Sequence, residues 1–561
     1  MDNPRLLLFI ALSVVMLLLF QAWQADYGGR GAGGGAPAPA AGPGAAGVPA
    51  GGAAGPAADV PQAAPRAPVP APAGTGAPVP GVRALPSTGR VRVETDTLVV
   101  EIDTTGGDVR RVDLPLYTVS VDDPTPLRLM DDAGRVYVAQ DGFAMAAGAG
   151  PNHTSVYRAE ADHYRLAGDT DTLEVPLVWE QDGVRVTKRF IFHRGRYDID
   201  IVYTVENGGG SPWQGSFYRQ LQRGHDPALE AKGFVRTYTG VAIYTPEEHY
   251  QKIDYGDIEE QDLQRSGVRG GWVAMLQHYF VGAWVPPQDA VHAFYTRFLQ
   301  GRYYVGVKSP LAEIAPGARR EFGSTLYVGP KLQDQLAALA EGLDLVVDYG
   351  ILTVIAKPLF WALKLFHNLT GNWGWAIVLL TLVIKLAFYK LSETSYRSMA
   401  RMRAVQPKLA ALKERYGDDR QRMQQALMEL YKKEKINPLG GCLPVLVQIP
   451  VFIALYWVLL ESVELRQAPW ILWIRDLSQK DPYYVLPILM GLTMFLSQRL
   501  NPAPPDPLQA KIMSFLPVIF TFFFLFFPSG LVLYWVVNQS LSLLQQWYIT
   551  RHVVGTVPKK A

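Results

Sequence analysis

The chain has 561 residues, and its 53 Lys and Arg against 51 Asp and Glu leave a net charge of +2, which gives no reason to expect nucleic-acid binding. Charged residues are 19% and apolar ones 49%, below the roughly 25% charge of wholly soluble proteins. A single cysteine, Cys442, excludes an intramolecular disulfide framework and a Cys-based metal cluster.

Residues 1–25 read as an N-terminal transmembrane signal anchor. Leu6 to Phe20 is an apolar run of 15 residues broken only by Ser13, with Arg5 before it and Asp26 after. Trp23, Gln24 and Ala25 make no small-x-small cleavage pattern, which favours an uncleaved anchor over a removed signal peptide. Either one exports the adjoining chain. Residues 26–89 read as a disordered tether, because 42 of the 50 residues from 31 to 80 are Gly, Ala or Pro. Such a segment has too little side-chain area to offset its ordering entropy. From 90 to 342 the pattern has period two, as in Val184–Phe192 and Tyr197–Val205. Turn signals such as Gln181-Asp182-Gly183 and Asn207-Gly208-Gly209 separate the runs. An exported β-sandwich is predicted there, turning helical at 331–345. Residues 343–370 are apolar but carry Asp344, Asp348, Lys357 and Lys364. The two lysines are seven apart and share a helical face, which predicts an amphipathic helix lying in the membrane interface rather than spanning it.

Five candidate spans lie in a core over 371–550: Trp373–Leu391, Cys442–Leu460, Tyr483–Leu500, Ile512–Phe527 and Leu531–Ile549. With the anchor they make six, and Pro528-Ser529-Gly530 turns the last two into a tight hairpin. Between Lys390 and Lys435 there are 12 Lys and Arg against 6 Asp and Glu, and the tail 551–561 holds Arg551, Lys559 and Lys560. Positive-inside counting places 392–441, the tail and both termini in the cytoplasm, with the β region across the membrane. Within 392–441, Met402, Val405, Leu409, Leu412 and Tyr416 run at helical spacing, and Met423, Leu427 and Leu430 continue after Gly417 and Asp418-Asp419. This helical hairpin either packs on itself with solvated charges or serves as a docking arm for a ribosome, targeting factor or emerging chain.

Lys385 is the sharpest single feature, a cation within the apolar run Ile384-Lys385-Leu386-Ala387-Phe388. A charge at the bilayer centre costs roughly 2.5–3.5 kcal/mol on insertion scales and usually serves a function. The bland alternative is snorkelling, since Leu391 ends the run about 9 Å further along. Thr381 lies four residues earlier on the same face, and in the last span Asn538, Ser542 and Gln545 are spaced i, i+4, i+7. That stripe forms either helix-to-helix hydrogen bonds or one wall of a water-accessible groove shared with Lys385. No Asp or Glu lies inside any predicted span, which argues against an ion-coupled pump. The sequence has no Walker loop and no histidine pair at metal spacing, so neither a cofactor nor a metal is expected.

Asn437-Pro438-Leu439-Gly440-Gly441-Cys442-Leu443-Pro444 with Gln448-Ile449-Pro450-Val451-Phe452 resembles the core of the YidC membrane protein insertases. So do Ser462 to Pro469, Asp481-Pro482-Tyr483-Tyr484, and Phe527 to Trp535. The resemblance covers 350–550 densely, and the anchor, tether and exported domain look like the Gram-negative type. It implies a membrane α-helical bundle of six transmembrane helices, five forming the insertase core, plus an exported all-β, galactose-mutarotase-like supersandwich without enzymatic role. It also implies an inner-membrane location and a hydrophilic groove open to cytoplasm and lipid. The basic residue of that groove, usually Arg, falls on Lys385, and the second aromatic of Tyr534-Trp535 is more often Tyr. Thr381 and Trp535 resemble substrate-contacting positions. The expected partners are nascent membrane proteins, the Sec translocon, a ribosome or targeting factor, and membrane lipids. The competing readings are a polytopic small-molecule transporter with an exported binding domain, and a sugar-active exported enzyme on a membrane base.

Overall fold

The computed structural model describes residues 85–225, 237–416, 419–434, 443–500 and 507–554. The expected anchor, the tether up to residue 84, the motif Asn437–Cys442 and the tail from residue 555 lie outside the described residues. Among the described residues, one compact unit runs to Val346 apart from Ser120–Asp122, and the other comprises Ser120–Asp122 and the chain from Val347.

The first unit is built from the period-two runs. Val184–His193 pairs antiparallel with Thr172–Gln181 through a two-residue turn, Gln181 opposite Val184. The turn residues Asp182 and Gly183 hold φ of 52° and 78°, the mirror-image geometry that matches the twist of the flanking strands. Val184–His193 also pairs with Asp198–Asn207, Phe192 opposite Ile199. These strands belong to a nine-stranded sheet, and an eleven-stranded sheet contains Tyr137–Ala147 and Trp213–Gly224. The sheets meet over an aromatic core in which Phe143 packs edge-on against Tyr203 and Phe322, each with ring centroids 5.2 Å apart. Two short helices, α1 (Tyr255–Glu260) and α2 (Gln333–Leu339), complete this unit.

One inward position of the alternation carries a charge. Lys188 is wholly buried, 2.5 Å from Asp141 Oδ1, and donates to the Gly107 carbonyl at 2.7 Å. Gly107 sits at φ 59°, and a Cβ there would press on the Lys188 side chain.

The second unit is helical: α3 (Thr353–Thr370), α4 (Trp373–Ala387), α5 (Tyr389–Ala404), α6 (Gln406–Tyr416), α7 (Arg420–Lys433), α8 (Leu443–Glu461), α9 (Val485–Leu500), α10 (Pro507–Phe524) and α11 (Ser529–Tyr548). Caps explain several boundaries. The Asn372 side chain accepts from Trp375 N at 3.2 Å and starts α4. Asp481 accepts from Tyr483 N at 3.0 Å and Leu486 N at 2.8 Å and starts α9, and Asp419 accepts from Arg422 N at 3.0 Å and starts α7. In the hairpin, Val405 and Tyr431 are buried together with Met402, Leu409 and Leu427 packed against them.

The span predicted as Trp373–Leu391 is not one straight helix. Helix α4 ends at Ala387, and α5 leaves at 66° to it. Hydropathy registers environment and not direction, so an apolar run reads through a bend. The 15 residues of α4 span only about 22 Å, against a hydrocarbon core of about 30 Å. By length and composition, Gly350–Thr370 is the single unbroken helix among the described residues that could cross a membrane. Its Ala356, Phe360 and Leu363 are buried in the helical core, whereas Val354, Trp361, Leu365 and Leu369 form an exposed apolar stripe.

Candidate functional site

Helix α4 buries Gly374, Ile377, Thr381, Ile384 and Lys385, positions spaced so that they share one face. Lys385 is therefore directed inward and is only 4% exposed. Its Nζ donates to Ser542 Oγ on α11 at 2.8 Å. The Ser542 hydroxyl in turn donates to the Asn538 carbonyl at 2.8 Å, one turn earlier. Gln545 Nε2 makes a long contact, 3.4 Å, with the Lys385 carbonyl at the end of α4. Ser542 and Gln545 of the stripe thus meet Lys385 across two helices, while Asn538 takes part only through its carbonyl, bonded to Ser542.

Other predicted residues are placed differently. Thr381 is fully buried, and its hydroxyl donates back to the Ile377 carbonyl at 2.7 Å within its own helix. Tyr534 stacks on Phe452 at 6.0 Å, while Trp535 lies edge-on to Phe452 and Phe524 at 5.0 and 5.7 Å. These rings pack on the first half of α11, whose second half carries Ser542 and Gln545. Sequence reasoning missed Tyr396, whose hydroxyl donates to the Ser542 carbonyl at 3.3 Å and ties α5 to α11. Tyr396 sits about two turns past the bend at Phe388, in the stretch read as the start of the charged hairpin, so no local signal pointed to it.

The electrostatics are unusual for a buried cation. An ammonium offers three donors, and Ser542 takes one. Among the described residues no carboxylate pairs with Lys385. Gln545 Oε1, on the side chain that reaches the Lys385 carbonyl, is buried without a hydrogen-bond partner, as are Trp535 Nε1 earlier on α11 and Gln448 Nε2 on α8. A dry helical interface avoids such groups, so each of them has hydrogen-bonding capacity that the protein itself leaves unused.

In the β unit, His193, Asp198 and Asp200 bring one ligand atom each within 4.8 Å of one another. Their atoms are already engaged: Asp200 with His193 at 2.9 Å and Thr325 at 2.7 Å, and Asp198 with Arg196 at 2.8 Å. This cluster is a hydrogen-bonded surface knot on the sheet.

An all-β unit followed by apolar helices that expose rows of large hydrophobic side chains has the make-up of a membrane protein. The family described as the YidC periplasmic domain matches residues 90–362, and that described as the 60Kd inner membrane protein matches 365–556. The membrane protein insertase YidC of Thioalkalivibrio sulfidiphilus (strain HL-EbGR7) is 52% identical over 99% of each chain. That of Methylococcus capsulatus (strain ATCC 33009 / NCIMB 11132 / Bath) is likewise 52% identical over 99% of each chain. A solved structure of an active YidC insertase is 19% identical, covering 84% of this chain and 95% of its own at a TM-score of 0.38, too distant to add to this. The chain belongs to the YidC family of inner-membrane insertases and is not an enzyme.

Proposed function

We propose that the chain inserts client membrane proteins by drawing the polar flank of a nascent span into a recess around Lys385. The observation that carries this reading is a buried ammonium held by Ser542 alone, with no acid to neutralise it among the described residues. An acidic residue of a client costs roughly 2.5–3.5 kcal/mol to place at the bilayer centre. A cation about 4 Å away attracts it by about 4 kcal/mol at an effective dielectric of 20. The two are comparable, so the recess offsets the barrier without trapping the client.

The finer parts of the reading are a six-span arrangement with both termini in the cytoplasm and the β unit outside. In it, α3 lies in the interface, where the shared face of Lys357 and Lys364 suits it. The hairpin α5–α7 receives a ribosome, a targeting factor or the emerging chain, and the protein works alone or beside the Sec translocon. Charge, not shape, is the active property of Lys385. Lys385→Arg is therefore expected to retain insertion of a client with an acidic tail, Lys385→Ala to impair it and Lys385→Glu to impair it further. Protease protection of the client in inverted vesicles, at matched insertase levels, reads this directly. Wild-type insertion by both Lys385→Ala and Lys385→Glu would refute the charged recess.

A further inference from the structure

The loop between α8 and α9 is folded as tightly as the helices it joins. Leu477 N bonds the Ala468 carbonyl at 2.9 Å, and Trp470 N bonds the Ile474 carbonyl at 2.9 Å, so Trp470 to Ile474 form a closed turn. The base of this turn is locked to the start of α11. Ser529 N reaches the Gln479 carbonyl at 2.7 Å, Gly530 N the Leu477 carbonyl at 2.9 Å, and Ser529 Oγ the Asp476 carbonyl at 2.9 Å. The buried Asp481 accepts from Trp473 Nε1 at 3.0 Å, and Ile474 and Leu477 are buried in the helical core.

The tip faces the other way. Leu472 is 82% exposed, and Ile471 and Pro469 beside it are also exposed. Leu472 holds φ 54°, a left-handed conformation that costs a leucine on the order of 1 kcal/mol. An ordered turn that holds a leucine outward at such a cost has a reason for its exposure. Residues 469–474 carry no charge, and charge resumes at Arg475 and Asp476.

The surroundings identify the occupant. Asn372, the cap of α4, donates to the carbonyls of Pro469 and Trp470 at 3.1 and 3.2 Å. Trp470 packs edge-on against Trp375 at 5.8 Å. Trp375 begins the exposed stripe of α4 that continues through Leu382 and Leu386, spaced i, i+7, i+11. The tip is thus continuous with the lipid-facing side of a membrane helix, and tryptophans gather at that junction as they do at membrane–water boundaries.

We propose that the tip Pro469–Trp473 is a membrane wedge, inserted among the lipids at the boundary of the leaflet where α4 begins, and that it anchors the loop that covers this end of the bundle. Only the identity of that leaflet, the outer one, rests on the topology proposed above. The test uses the full-length protein with Cys442 replaced by serine, reconstituted in phosphatidylcholine–phosphatidylglycerol vesicles. Leu472→Cys or, separately, Ile471→Cys carries an environment-sensitive fluorophore. Quenching by lipids with a nitroxide near the ester region is expected to exceed quenching by aqueous iodide several-fold, with blue-shifted emission. Strong iodide quenching without lipid quenching would overturn the proposal, because the tip would then stand in water. Shielding from both quenchers would overturn it too, because the tip would then be covered by protein. A label at Met428→Cys in the hairpin separates the topology from the wedge. If lipid quenches the tip but dithionite reaches both labels from the same side, the wedge stands and the topology falls.

Discussion

Lys385 Nζ and the Asn538 carbonyl both engage the Ser542 hydroxyl, one as donor and one as acceptor, at 2.8 Å each. Removing that hydroxyl strands a buried ammonium. A hydrogen bond to a charged group contributes about 1.5–3 kcal/mol, so Ser542→Ala is expected to lower the unfolding midpoint in detergent and slow insertion of acidic clients. Ser542→Thr keeps the hydroxyl and is expected to behave as wild type. Unchanged insertion by Ser542→Ala would show that Lys385 acts without being positioned. A second residue-scale effect lies in the β unit. Burial, with Arg219 nearby, pushes His292 down to about 4. Its Nε2 faces the Pro287 carbonyl at 2.9 Å, and Arg219 Nη1 donates to Ser309 Oγ at 3.1 Å, beside Nδ1. The fold thus favours the neutral ring. This contribution is complete above pH 6.5, falls as pH drops from 6.5 toward 4, and is flat below. A displacement of that size amounts to at most about 3 kcal/mol. Hydrogen exchange in the strand Val291–Leu299 should show the loss, and His292→Gln should flatten it. An unchanged pH profile in that variant would assign the dependence to another group.

At the scale of elements, close approaches decide which helices can be neighbours. A Cβ on Gly374 would overlap the Trp470 ring, and one on Gly491 of α9 would overlap the Thr521 hydroxyl of α10. Both glycines let an element lie directly against its partner. Overpacking of this kind costs about 1–3 kcal/mol. Gly374→Ala should therefore lower the thermal midpoint in detergent and open the 466–484 loop to limited proteolysis. A wild-type midpoint and an intact loop would mean that Trp470 can move aside freely. The helices themselves were legible as apolar runs, the last two divided at Pro528, because hydropathy is local; the caps Asn372 and Asp481 emerged only in the structure. The break at Phe388 was not, since Tyr389 and Leu391 carry the apolar run past it and the contact that ties α5 to α11, Tyr396 on Ser542, spans 146 positions.

At the scale of the molecule, among the described residues one large hydrophobic core joins the strands and another joins the helices, beside a small cluster in the hairpin. Lys385 and its partners Ser542 and Gln545 lie wholly in the helical unit. Deleting much of 90–320 while keeping 331–369 is therefore expected to leave insertion largely intact. Retaining α3 matters because Ala356, Phe360 and Leu363 are part of the helical core. Complementation of a depleted strain by the shortened chain measures this. Loss of all insertion at normal protein levels would show that the β unit takes part in the reaction.

The amino-acid sequence by itself determined the two kinds of structure, an all-β region followed by apolar helices, because period-two alternation and long apolar runs are direct consequences of burial in a sheet or in lipid. It also singled out Lys385 and the Asn538, Ser542, Gln545 stripe, because a cation and amides in apolar runs stand out by type alone. Helical spacing placed Lys385 on a face with Thr381, yet spacing does not say whether that face meets lipid, water or another helix. Only the tertiary structure decided that it meets α11, that Tyr396 supports the junction, and that the loop Arg466–Tyr484 folds back over the helix ends with Leu472 outward. Those outcomes rest on contacts between residues far apart in the chain, whose energies appear only once the helices are packed.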